Sequence, residues 1–237
     1  MTFVLAHLLA ACSVLVDPWL SYVWYQRARK RIEAGVPGAK VRLYQQTVSA
    51  QVISTALILA YWRSGRIPAS SLGMGAPRSW AWSMVPMLAI VGLLAWSSLR
   101  LRPKAEKIRE KVKDSIGALL PESRQERSWW GAVSVGAGIS EELMYRGFLL
   151  YYLSTYLPQF NIPEKVLLIS VAFGLAHIYQ GWKGTISTGI LGLILVGLYL
   201  MTGSLLLPIV VHAALDSRIL LMFPPPVSPA APAEGAA

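Results

Sequence analysis

Three ionisable residues, Glu141, Glu142 and Arg146, lie within the stretch Ile139-Ser-Glu-Glu-Leu-Met-Tyr-Arg-Gly-Phe148, inside an otherwise apolar run from Gly131 to Leu157. A helix over that run is long enough to cross a hydrocarbon core of about 30 Å, and the charged residues would stand roughly 16 to 22 Å along it. A charge at that depth costs at least ~2.5 kcal/mol, so it needs partners and usually serves a function. Two further pairs have helical spacing: Phe173 with His177, and His212 with Asp216, each four residues apart on an apolar run. Carboxylates and imidazoles at one depth supply a base, an orienting imidazole and a donor to a developing oxyanion. Attack of water on an amide requires that set.

Helix geometry separates the two glutamates. Glu142 lies about 40° from Arg146 around the axis, and Glu141 about 140° away. Glu142 is therefore expected to form an ion pair with Arg146, leaving Glu141 free. A carboxylate held away from bulk water is a stronger proton acceptor, as a general base must be. Ser134, Ala137 and Gly138 share the face of Glu141, and their small size is expected to leave room for water or an extended peptide. The bland alternative is that each histidine is an interhelical hydrogen bonder. Polar contacts between membrane helices, however, usually use Ser, Thr, Asn or Gln, and two Glu, two His and an Asp at one level exceed that need.

The elements that must position these groups are apolar helices. The sequence is 54% hydrophobic and 14% charged, with 9 Trp and 10 Tyr, whereas soluble domains carry nearer a quarter charged residues. This predicts an all-α fold, a polytopic transmembrane helix bundle of about seven spans. The runs are Phe3–Tyr25, Thr47–Trp62, Trp80–Leu99, Gly131–Leu157, Glu164–Gln180, Thr185–Met201 and Leu205–Phe223. Asp17-Pro18 is expected to kink or break the first. Between Arg100 and Arg127, Leu101, Ala105, Ile108, Val112, Ile116 and Leu119 recur on one face. They predict an amphipathic helix ended by Pro121, either lying on the cytoplasmic membrane surface or packed on the bundle. Three segments follow from this reading: 1–127 with the N-terminal spans and the basic segment, 128–223 with the polar site, and a Pro/Ala-rich tail at 224–237 expected to be disordered.

The net charge of +10 is spread over loops, a pattern that suits membrane orientation better than a nucleic-acid surface, so no nucleic-acid partner is expected. Basic residues number six in Gln26–Gln46, three in Arg63–Arg78 and nine in Arg100–Arg127. The positive-inside rule then puts the first and third loops in the cytoplasm and the N-terminus outside. The only cysteine, Cys12, excludes an intramolecular disulfide. Leu9-Ala-Ala-Cys12 resembles a lipoprotein cleavage box, but no basic region precedes it and apolar sequence continues past it, so it reads as a thiol within the first span. His7 is assigned no role.

Glu141-Glu142-x-x-x-Arg146, Phe173-x-x-x-His177 and His212-x-x-x-Asp216 resemble, in that order, the three motifs of the CPBP family of intramembrane endopeptidases (CAAX protease and bacteriocin-processing, or Abi). The third family motif ends most often in Asn or another small polar or acidic residue, and Asp216 is an accepted variant of that kind. The resemblance covers roughly Ser128 to Phe223. It implies a protease in which Glu141 with His177 activates water, and His212 with Asp216 binds the scissile carbonyl as the oxyanion site. It further implies that Arg146 holds Glu142 and that Phe173 packs beside the site. No cofactor is expected. Zinc remains the alternative, with Glu141, His177 and His212 as its ligands, although no HExxH helix is present. The implied substrate is a membrane-embedded or lipidated peptide: a prenylated CAAX tail, a bacteriocin-like peptide or a C-terminal sorting signal. Short spans and small size suggest a bacterial inner membrane. Two other readings are a transporter or immunity protein binding a peptide in the same cavity, and an adaptor whose basic helix meets anionic lipid. Many transporters carry paired repeats or broken half-helices, and neither is evident here.

Overall fold

The computed structural model describes residues 2–65 and 67–224, and their regular structure is entirely helical. Apart from Pro224, the proposed disordered tail lies outside the described residues. Helix α1 (Thr2–Ala11), a π-helical turn (Cys12–Val16) and α2 (Asp17–Glu33) run on without interruption. Asp17-Pro18 therefore does not break the first run. Proline has no N–H and crowds the carbonyl four residues back. Here the wider π turn just before it absorbs that misfit, and Pro18 sits in the first turn of α2. The resulting rod, Phe3–Glu33, is 31 residues long.

Helix α3 (Ala39–Gly65) is longer than the apolar run it contains. Helix α4 (Trp80–Leu101) starts at a Ser79 cap and carries Pro86 inside it. The basic segment then breaks into short pieces, of which α5 (Ala105–Val112) is the main one. Helix α6 (Arg124–Glu142), opened by a Ser123/Glu126 capping box, continues through a second π turn (Leu143–Leu149) into α7 (Leu150–Tyr156). Helix α8 (Ile162–Ala176) begins at an Asn161/Glu164 capping box, with Pro163 in its first turn rather than in the preceding loop. Helix α9 (Gly181–Thr202) ends at Gly203, whose φ of 68° lets the chain turn into α10 (Leu206–Met222). Among the described residues, three helices are both long and apolar enough to cross a membrane by length and composition alone: Phe3–Glu33, Trp80–Val112 and Ile178–Thr202. The other expected spans are helical but shorter or more polar.

Helix α6 runs through the middle, packed between α3 and α10, while α8 pairs with α9 and α4 covers α10. In a bilayer the lipid is as apolar as the side chains, so helix contact depends on close approach and van der Waals fit. Glycine makes that approach possible here. A Cβ on Gly138 would stand 2.8 Å from the Ile209 carbonyl oxygen of α10, and one on Gly174 would stand 2.7 Å from the Thr185 carbonyl oxygen of α9. Around these contacts Ile58 and Tyr61 of α3, Phe148 of the second π turn, Ile169 and Phe173 of α8 and Val196 of α9 form the main core.

The basic segment is fastened to the bundle. Ala105, Ile108 and Val112 of α5 pack on Leu120, Met222 and Phe223, so its apolar face meets the end of α10. Buried Lys40 donates to the Leu120 carbonyl at 2.9 Å, and the Tyr44 hydroxyl donates to that of Leu119 at 2.5 Å. Loop carbonyls that lack helical partners are thereby satisfied from α3. Packing against the bundle accounts for Ala105, Ile108 and Val112 of the apolar stripe, whereas Leu101 is exposed.

Candidate active site

Four elements meet around Glu141, each for a local reason. Glu141 and Glu142 close α6, and the π turn that follows resets the angular positions of Tyr145 and Arg146. His177 caps the C-terminus of α8, where the helix gives way to a 3-10 turn (Ile178–Gln180). His212 and Asp216 project from α10, which Gly138 lets lie against α6. Asp17 begins α2, beyond the first π turn.

The fixed part of the site is a buried chain of polar contacts. Glu142 and Arg146 have side chains 0% exposed, and Glu142 Oε1 accepts from Arg146 Nη1 at 2.8 Å. The same oxygen lies 2.7 Å from Nδ1 of His212. Arg146 also donates to the Gly192 carbonyl of α9 at 3.1 Å, and its Cζ sits 4.3 Å over the Phe173 ring. Phe173 contacts both imidazoles, with ring centroids 4.9 Å from His177 and 5.8 Å from His212. This phenyl ring is thus the apolar floor on which the two histidines are spaced.

Hydrogen-bond bookkeeping gives each imidazole a direction. Nδ1 of His177 is 2.9 Å from the Phe173 carbonyl, which can only accept, so Nδ1 carries the hydrogen. Nε2 of the neutral ring is then unprotonated and faces Glu141 Oε2 at 3.7 Å. His212 is held likewise by the Glu142 carboxylate through Nδ1. Its Nε2 lies 3.9 Å from Glu141 Oε2 and 3.7 Å from Asp216 Oδ2. These gaps exceed direct hydrogen-bond length and suit intervening water.

Exposure distinguishes the rigid wall from the open side. The side chains of Glu141 and Asp216 are 27% and 35% exposed, against 4% for His212. Asp17 is exposed at the head of α2, the helix that packs against α8 and the turn after His177. Partly exposed carboxylates on apolar helices are expected to face a water-filled cavity rather than acyl chains. A cavity of about 350 Å³ opens next to it, lined by Tyr22, Gln26, Arg29, Ser115 and Tyr179, the last of these two residues beyond His177.

The donor types of Glu141, His177 and His212 are those of a zinc site, but their spacing is not. Zinc bonds of about 2.0–2.2 Å in a tetrahedron hold ligand atoms roughly 3.3 Å apart. Here the separations are 3.7 and 3.9 Å, and among the described residues no group of three His, Cys, Asp or Glu is arranged to hold a metal ion. The residues as they stand do not fit the ion.

The structure brings together Glu141, His177, His212 and Asp216, with Glu142, Arg146 and Phe173 behind them. It corrects one expectation. Ser134, Ala137 and Gly138 do not leave room for a peptide, because all three are buried, and α10 fills the space over Gly138. Sequence reasoning also missed that Glu142 serves His212 as well as Arg146, and that α2, which begins at Asp17, packs against α8 and the turn after His177. For Asp17 a signal was present: an acid inside an apolar run needs a partner, whatever the proline beside it does. His7, given no role, packs among Phe3, Tyr152 and Tyr156.

Fold and site together define a helical integral membrane protein in which a glutamate, two histidines and an aspartate from three helices come together. Residues 124–217 match the Rce1-like family model, described as type II CAAX prenyl endopeptidase Rce1-like. The match runs from the first turn of α6 through Asp216. It supports the CPBP (CAAX protease) family whose three motifs the sequence resembles, and with it protease activity at the family level. No curated protein and no solved structure matches the chain.

Proposed function

We propose that the chain is an intramembrane endopeptidase that hydrolyses a peptide bond of a membrane-embedded or lipidated substrate with a water activated by Glu141 and His177. The observation that carries this reading is the pair of acceptors, Glu141 Oε2 and His177 Nε2, 3.7 Å apart, with the other nitrogen of His177 already committed to Phe173. Water between them donates one hydrogen to each and turns a lone pair towards the scissile carbonyl. Glu141 takes the proton as the carbonyl is attacked and returns it to the leaving nitrogen as the C–N bond breaks. His212, in its imidazolium form, donates from Nε2 to the tetrahedral oxyanion. Asp216 stands beside it to orient the ring and balance its charge.

The same reading makes the reaction metal-free, since the side chains supply both base and oxyanion donor. It treats 128–223 as the catalytic core. On this reading α5 and the end of α10 lie at the cytoplasmic face of a multi-pass protein of a bacterial inner membrane, which the positive charge of the loops supports. Asp216 lies six residues before Met222, about 9 Å from that end of α10. A scissile bond arriving from the cytoplasmic side, as in a lipidated C-terminal tail, is within easy reach.

The test is Glu141→Gln in the full chain reconstituted into liposomes, with an internally quenched farnesylated CAAX peptide as substrate. The expected result is loss of cleavage with insertion and thermal stability retained. Cleavage at the wild-type rate by that variant overturns the assignment.

A further inference from the structure

At the end of α4 opposite α5 lies a second cavity, of about 260 Å³, that the chemistry around Glu141 leaves unused. Ser70, Ser71, Arg78, Leu150, Ser154 and Leu200 are among the residues that line it, and none of its lining residues is acidic. Arg78 is fixed there. Its backbone N–H donates to the Thr202 carbonyl at 2.9 Å and its Nη1 to the Leu200 carbonyl at 3.0 Å. Its Nε rests against Gly203, where a Cβ would stand 3.0 Å away. These bonds cap the end of α9, yet they engage only one of the five guanidinium N–H donors. Among the described residues the rest of the guanidinium has neither a hydrogen bond nor an ion pair. The hydroxyls of Ser70, Ser71 and Ser154 are likewise without partners among the described residues, whereas those of Ser134 and Ser170 return to a carbonyl four residues back.

The start of α4 gives the depth of this cavity. Two residues after Arg78 begins Trp80–Val112, one of the helices long and apolar enough to cross a membrane. Its first turn exposes Trp80 by 57% and Trp82 by 78%. Exposed Trp at the head of a span marks the headgroup level, where the phosphates of phospholipids lie. A guanidinium with no acid beside it, next to three free hydroxyls, suits a phosphate, which Arg binds through its planar fork of donors. The volume falls just short of the ~300 Å³ at which pockets for whole small molecules begin, so it fits part of a headgroup with the chains left outside. We propose that this cavity binds the phosphodiester of one membrane phospholipid. The free donors of Arg78 and the hydroxyls of Ser70, Ser71 and Ser154 hold its oxygens, and Leu150 and Leu200 meet its glycerol. The proposal is independent of the hydrolase reading, since it uses none of the residues around Glu141.

The experiment uses the purified full chain, delipidated in a maltoside detergent, with native mass spectrometry to read bound lipid and thermal unfolding to check the fold. Added dioleoylphosphatidylcholine, which carries a phosphodiester but no net charge, should fill one saturable site per chain. Dioleoylglycerol, which lacks the phosphate, should not. Arg78→Gln should weaken phospholipid binding by roughly ten- to a hundredfold, the worth of a hydrogen bond to a charged group. Ser71→Asp leaves the Arg78 cap on α9 in place and sets a competing anion in the cavity, so it should weaken binding comparably without lowering Tm. Arg100→Gln, at the other end of α4, where the guanidinium lies over the Trp96 ring, should leave binding unchanged. Unchanged affinity in Ser71→Asp overturns the proposal, and so does equal binding of dioleoylglycerol. A loss in Arg100→Gln as large as that in Arg78→Gln would mean general attraction to interfacial charge and overturns it too. Inorganic phosphate that binds saturably and displaces the phospholipid would reassign the cavity to free phosphate and overturn the lipid.

Discussion

Glu142 Oε1 lies 2.7 Å from Nδ1 of His212, across the contact between α6 and α10. Because the same oxygen accepts from Arg146 at 2.8 Å, one wholly buried carboxylate joins the ion pair of α6 to the imidazole of α10. It decides which nitrogen of His212 faces the cleft.

Under the proposed mechanism, that link should couple Glu142 and His212 energetically in catalysis. Glu142→Gln keeps the shape but weakens the orienting bond, and His212→Gln removes the imidazole. In a double-mutant cycle on kcat, the combined variant should lose less than the sum of the single losses, with a coupling of about 0.5–3 kcal/mol. Additive losses would show that the contact does not orient His212 for the reaction.

Arg146 is expected to act on stability. Arg146→Met leaves buried Glu142 with His212 as its one remaining partner, a loss of up to about 3–5 kcal/mol. Thermal unfolding in detergent should show a clear fall in Tm, and adding Glu142→Gln should recover part of it. An unchanged Tm in Arg146→Met would mean that the pair is not closed in the folded protein.

Gly138 tests the approach of α10. Its Cβ would stand 2.8 Å from the Ile209 carbonyl oxygen, whereas one on Gly131 would meet only a Leu220 side chain at 3.9 Å. Gly138→Val should cost about 1–3 kcal/mol from overpacking and lower activity by displacing His212. Gly131→Ala on the same helix should stay within about 0.5 kcal/mol of wild type. Equal effects of the two substitutions on Tm and cleavage would contradict the close contact.

The separations of 3.7 and 3.9 Å around Glu141 Oε2 are wider than zinc ligation needs. Peptide cleavage should therefore persist after exhaustive chelation and dialysis, with metal content checked by mass spectrometry. Loss of activity that stoichiometric zinc restores would reassign Glu141, His177 and His212 as ligands.

Much of this molecule can be read from its residues alone. Composition and apolar run length fix a helical membrane protein, because a bilayer tolerates few other backbone arrangements. Four-residue spacing fixes that Phe173 accompanies His177 and that His212 accompanies Asp216, since each pair lies on one helix. The separation of Glu141 from Glu142 follows from the same rotation of about 100° per residue.

Contacts between helices lie beyond that logic. Periodicity gives the face a residue takes on its own helix but not which neighbour covers that face. The small residues beside Glu141 thus looked like open space, although α10 occupies it at Gly138. The second partner of Glu142, the packing of α5 on the end of α10 and the packing of α2 on α8 come from segments distant in sequence. The two π turns also shift register where a uniform helical count would fail. The sequence by itself determined the kind of protein and the pairs of groups on each helix. The tertiary structure alone decided how those pairs face one another, because close helix packing sets rotation and depth through contacts that no single helix encodes.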